Sequence, residues 1–164
     1  MKFDFFSPAP RPDNERERQA AVDVIVRRGV ADQARLDAIV AEAADLLDCP
    51  ISALSIIDGE RQWFAGITGL DAEETSRAAS FCAHTILDPE RLLYVPDAAE
   101  DWRFTGNPLV KDGPQIRFYV GAPVIMADGA VVGALCAIDT RTRTLEPHAL
   151  QRLRELAAEA ATTL

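Results

Sequence analysis

Residues 51–67 read ISALSIIDGERQWFAGI, and this stretch decides the fold. ISALSIID (51–58) is a continuous β-branched run, Asp58-Gly59 is a two-residue turn signal, and RQWFAGI (61–67) returns as a partner strand, so a β-hairpin is expected. The arrangement recurs toward the other end, where QIRFYVGAPVIM (115–126) and AVVGALCAIDT (130–140) flank the turn Ala127-Asp128-Gly129. Between the hairpins, RLLYVPDA (91–98) supplies a further strand ended by Pro96.

Working outward, the period changes from two to the three-and-four spacing of helices. Asp32 to Leu47 carries Leu36, Ile39, Val40, Ala43, Ala44 and Leu47 on one stripe, ended by Cys49-Pro50. Asn14 to Val30 reads as a weaker helix with Ala21, Val24, Ile25 and Val30 near one face, stopped at Gly29. Glu146-Pro147 opens a last helix bearing Leu150, Leu153, Leu156, Ala157 and Ala160. Ser80 precedes FCAHTIL (81–87), a short helix capped by that serine and closed by Asp88-Pro89. Residues 68–80 are polar and irregular, and 97–114 form a long loop. Residues 1–13, rich in Phe and Pro, read as an extended arm, and 14–164 as a single domain. These elements describe an α+β domain: an antiparallel sheet of five or six strands, covered on both faces.

At 164 residues the chain is long enough for a core without disulfides or metal. Seventeen Lys and Arg against twenty-six Asp and Glu give a net charge of −9, which repels nucleic acid and anionic lipid. No apolar run reaches the roughly 20 residues of a membrane span, and the N-terminus lacks signal-peptide order, so a cytoplasmic protein is expected. Cys49, Cys82 and Cys136 have no framework spacing and read as reduced thiols. His84 and His148 have no third partner, and no metal site is expected.

The run from PISALSIIDGERQWF through SFCAHTI, VPDAAEDWRFTGNPLV and IRFYVGAPV to GALCAIDT resembles GAF domains, the small-ligand sensory modules of bacterial signalling proteins, particularly those found ahead of diguanylate cyclases and histidine kinases. The similarity covers about residues 34–162, whereas 1–33 depart from the usual lead-in. It implies terminal helices on one side of the sheet and, on the other, a pocket formed by the long loop and the short helix. The function implied is noncatalytic: a small molecule, whose identity the residues do not give, biases a signalling partner or the rest of a larger sensor. A cysteine-dependent reductase of free methionine sulfoxide and a tetrapyrrole-binding sensor are the alternatives. The local contexts of the three cysteines match neither.

The expected ligand-binding residues are Trp63, Phe81, Cys82, His84, Trp102, Phe104, Arg117 and Tyr119; no catalytic residue and no cofactor are assigned. Each has a plainer reading. Cys82, in the first turn of a helix, is either reactive or simply packed with Phe81 and Ile86. Trp102 and Phe104 either line a pocket or plug a sheet edge. Alternation puts Ile116, Phe118 and Val120 on one face and Arg117 and Tyr119 on the other, so that Arg117 either pairs with Asp97 or Asp101 or anchors an anionic ligand. Asp97 and Asn107 read as turn makers, and Cys136 as an inert core thiol. A homodimer through the terminal helices is expected, with the apolar stripe of residues 150–160 facing Ala20, Ala21 and Val24.

Overall fold

The computed structural model describes residues 6–164, so the first five residues of the expected arm lie outside it. Its strands are β1 (Ile51–Asp58), β2 (Arg61–Thr68), β3 (Glu74–Ser76), β4 (Leu93–Val95), β5 (Phe118–Ile125) and β6 (Val131–Asp139). They form a single six-stranded sheet in the order β3-β2-β1-β6-β5-β4, every neighbouring pair antiparallel. Both expected hairpins are present. β3 is an addition: Glu74–Ser76 has little strand character of its own and is held by its pairing with Arg61–Trp63.

Helices α1 (Glu15–Arg28), α2 (Gln33–Leu47) and α5 (Pro147–Ala161) cover one face, whereas the one-turn helices α3 (Cys82–Thr85) and α4 (Pro108–Lys111) lie in the connections. α2 buries the expected stripe, and Asp32 caps it by accepting from Arg35 N at 3.1 Å. At its other end Asp48 takes the left-handed conformation, φ 49°. α5 buries Ala149, Leu153, Leu156, Ala157 and Ala160 against the sheet and α2. Of the stripe expected at a dimer contact, Leu153, Leu156, Ala157 and Ala160 are thus used inside the chain, and Leu150 is partly covered.

α1 differs from the sequence reading in its face. Val22 and Ile25 are buried while Val24 is only partly covered, because the position one turn before Val22 is a buried arginine. Arg18 reaches over the strand ends and donates to Ile57 O at 2.8 Å and to Glu15. Glu15 also receives both Nη groups of Arg77, at 2.6 and 3.1 Å, and Arg77 bonds Gly59 O in the β1–β2 turn. Burial acts to raise the Glu15 pKa, but these hydrogen bonds and charges outweigh it and hold it at about 2. The charged network thus fastens the start of α1 to the end of the sheet.

The opposite face carries the second core, built from Ala53, Ile57, Phe81, Phe104, Ile116 and Tyr119 among others. Residues 6–13 run along this side without helix or strand. Ser7 N donates to Arg103 O and His84 Nε2 donates to Ser7 O, each at 3.0 Å. Arg11 pairs with Glu15 and Glu60. Among the described residues no helix is long and apolar enough to cross a membrane.

Candidate functional site

Between the sheet and the connections lies a cavity of about 60 Å³. A water needs roughly 10–15 Å³ measured this way, so the space suits a molecule of a few heavy atoms. A tetrapyrrole belongs to the class of ligands that fill roughly 300–1,000 Å³ and exceeds this space many times over.

The strands set which side chains reach it. In β2, Gln62 and Phe64 face the cavity, while Trp63 and Ala65 face the helices. A bulge between Leu54 and Ser55 of β1 then opposes Ser55 to Phe64 but Leu54 to Gly66, leaving one extra residue on β2. The alternation is reset there. Gly66 lies under α2, where an added Cβ would meet Val40 at 3.1 Å, and Ile67 returns to the cavity. In β5, Tyr119 faces the cavity while Phe118 and Val120 join the helix-side core. Ile116 does not share their face. It precedes the strand, beside Gln115 at φ 65°, and lines the cavity instead.

A cluster of thiols and hydroxyls forms one wall. Tyr119 OH donates to Cys82 Sγ at 3.1 Å, and Cys82 Sγ lies 3.4 Å from Ser55 Oγ. Thr85 Oγ1 and Tyr119 OH are 2.7 Å apart, and Cys136 lines the same cavity. Burial opposes charge on Cys82, but its polar neighbours Cys136, Ser55 and Tyr119 outweigh it and lower its pKa. The neighbouring Cys82, followed by burial, pushes Cys136 well up, and burial, followed by the charge of Cys82, does the same to Tyr119. Cys49 stands apart, pushed up to about 11 by burial.

A polar rail continues from this wall. Ser80 Oγ donates to Gln62 Oε1 at 2.7 Å and accepts from Ala83 N at 3.1 Å, which is the cap expected for the short helix, and Gln62 Nε2 donates to Thr75 Oγ1. Among the described residues no group of three or more His, Cys, Asp or Glu side chains could hold a metal ion.

Of the eight residues expected to bind ligand, Phe81, Cys82 and Tyr119 line the cavity. Phe104 is one layer behind, stacked on Phe81 with ring centroids 4.1 Å apart. His84 packs edge-on against Phe104 and turns to the arm, and burial lowers its pKa. Trp63 faces the helix-side core, and Trp102 is 74% exposed on the outside of the loop. Arg117 meets neither Asp97 nor Asp101: its Nη1 donates to the carbonyls of Val110 and Ile116 at 2.9 and 3.0 Å, tying the loop to β5. Asp101 is instead paired with Arg103 through two side-chain bonds, while Asp97 and Asn107 cap the turns that follow them. Ser55, Gln62, Phe64, Ile116 and Cys136 are among the other lining residues and were not expected. Ser55 and Gln62 are polar residues in otherwise apolar strands, a signal that could have marked them.

The GAF domain family model matches residues 33–164. The chain belongs to the GAF domain family. Over 134 residues, 82% of its length, it is 42% identical to a cyclic di-GMP phosphodiesterase of Pseudomonas aeruginosa, but this GAF domain spans only 23% of that relative. In structure it is similar to the GAF domain of an Acinetobacter phosphoenolpyruvate-protein phosphotransferase, with TM-score 0.65, 16% identity and 90% of each chain covered. It is also similar to the type II free methionine-R-sulfoxide reductase of Thermoplasma acidophilum, with TM-score 0.65, 11% identity and coverage of 80% of this chain and 90% of that one. At such identities both likenesses show the fold alone.

Proposed function

We propose that this GAF domain is a noncatalytic sensory module of the cytoplasm, in which a small molecule in the cavity alters the surrounding connections and thereby a signalling partner or a larger sensor. The observation that carries this reading is the cavity itself: apolar on most sides, polar on one wall, and closed by α3 and the segment 97–117 rather than by rigid sheet. Occupancy acts on the elements that hold residues 6–13, so the arm 1–13 and the domain 14–164 work as one unit. The likeness to a phosphodiesterase supports a setting in signalling, and the reaction in that protein's name stays with that protein. A second copy remains the proposed partner at the terminal helices. Its contact would fall on the outer side of α1, at Ala20 and the 41% exposed Val26.

Native mass spectrometry of the purified chain tests the reading, with retention of one small molecule of discrete mass as the expected result. Ala53→Leu, which fills the cavity, should abolish retention while circular dichroism stays unchanged. A bare mass, with no thermal shift across a metabolite panel, would sink the ligand-sensing model.

A further inference from the structure

We propose that Cys82 and Cys136 form a hydroperoxide-reactive dithiol, which closes to an intramolecular disulfide inside the cavity. Three observations on different elements meet here. Both cysteines line the same space, Cys82 from α3 and Cys136 from the centre of β6, and both belong to the same buried cluster. Cys82 Sγ is surrounded by hydroxyls, Tyr119 at 3.1 Å and Ser55 at 3.4 Å, a setting that stabilises a thiolate. The cavity, at about 60 Å³, accepts a peroxide-sized molecule, and its lining reaches the surface at Leu70, which is 39% exposed.

The chemistry balances with a hydroperoxide as oxidant. The Cys82 sulfur attacks one peroxide oxygen; an S–O bond forms as the O–O bond breaks, and the departing oxygen leaves as the alcohol, or as water, with the proton that Cys82 gives up. The Cys136 sulfur then attacks Cys82; the S–S bond forms, the S–O bond breaks, and the hydroxyl leaves as water with the Cys136 proton. Two thiols lose two electrons and two protons, and the peroxide is reduced by two electrons. A dithiol reductant returns the pair to its starting state. Cys49, with its thiol pushed up to about 11 and outside the cavity lining, takes no part.

The inference uses the cavity of the sensory reading but names the chemistry it senses. The chain is treated with one equivalent of hydrogen peroxide and examined by intact-mass spectrometry and peptide mapping. Expected are the loss of two hydrogens, a Cys82–Cys136 cross-linked peptide and full reversal by dithiothreitol, with Cys49 still free. Cys136→Ser and Cys136→Ala should stop at a sulfenic acid on Cys82, trapped by dimedone, and Cys49→Ser should behave as the unaltered chain. Tyr119→Phe, which removes one donor, should slow oxidation about tenfold at fixed pH. Free thiols at both positions after peroxide, pairing with Cys49, or sulfinic acid without a disulfide would each overturn the proposal. A disulfide that forms in a chain retaining no other molecule would leave the dithiol standing and remove only the wider ligand reading; retention without a disulfide would do the reverse.

Discussion

Gly121 lies in the middle of β5, and an added Cβ there would collide with the Tyr119 hydroxyl and come within 2.9 Å of Thr85 Oγ1. The hydroxyl pair at the thiol wall therefore exists because position 121 has no side chain. Gly121→Ala should destabilise the fold by about 1–3 kcal/mol through overpacking, measured by urea denaturation. Ser52 is the opposite case. Its hydroxyl is the one buried side-chain oxygen among the described residues with no hydrogen-bond partner. Removing an unpartnered hydroxyl removes a desolvation cost, so Ser52→Ala should raise stability by about 1 kcal/mol in the same measurement. A loss of stability would mean that the hydroxyl is satisfied.

At the scale of elements, α1 is fastened by charge rather than by apolar contact alone. Arg18→Ala should cost about 3 kcal/mol, because it leaves Ile57 O without its donor and weakens the Glu15 network. Glu15 also gives a pH signature. Its pKa falls from 4.5 to about 2 on folding, so its contribution is complete above pH 4.5 and is lost as the pH drops from 4.5 toward 2. Glu15→Gln should flatten this part of the acid limb in equilibrium unfolding, and an unchanged slope would place the lowered carboxylate elsewhere. The same helix shows where sequence periodicity stops being informative. α2, α5 and the two hairpins were legible because each buries one regular face. α1 was misread because a buried arginine occupies a position that hydrophobic periodicity counts as outside. Trp63 was expected at the cavity and faces the helices for a related reason: which of two adjacent aromatics on β2 faces the cavity depends on pairing register. Arg117 and Trp102 were misplaced because loop geometry has no period. Phe81, Cys82 and Tyr119 could be placed on the cavity wall because they stand on a capped turn and on a strand, where local chemistry sets direction.

For the molecule as a whole, burial of the α5 stripe separates folding from association. Leu156→Glu should abolish cooperative unfolding, followed by circular dichroism, because Leu156 is fully buried within one chain. Val26→Glu should leave the fold intact and lower the mass seen by light scattering if two copies meet at α1; a monomeric mass at all concentrations would remove the dimer. Free methionine sulfoxide should show no turnover in a thioredoxin-coupled assay, because the local contexts of the cysteines do not match the reductases, and a rate lost in Cys82→Ser would overturn the noncatalytic reading. The sheet's edge strands β3 and β4 are three residues each, which leaves little backbone for a further strand to pair with. Its centre has a different consequence. β1, the first strand in the chain, is zipped to β6, the last, from Ile51 opposite Ile138 to Ile56 opposite Gly133. Closing that seam encloses four other strands in one loop, and the entropy of closure must be met before the contacts return it. Refolding should accordingly run in the milliseconds-to-seconds range of non-local topologies rather than at helix-bundle speed. During synthesis the most apolar strand edge waits unpaired until the last hairpin emerges, so the aggregation hazard of this chain belongs to its birth on the ribosome and not to its folded life.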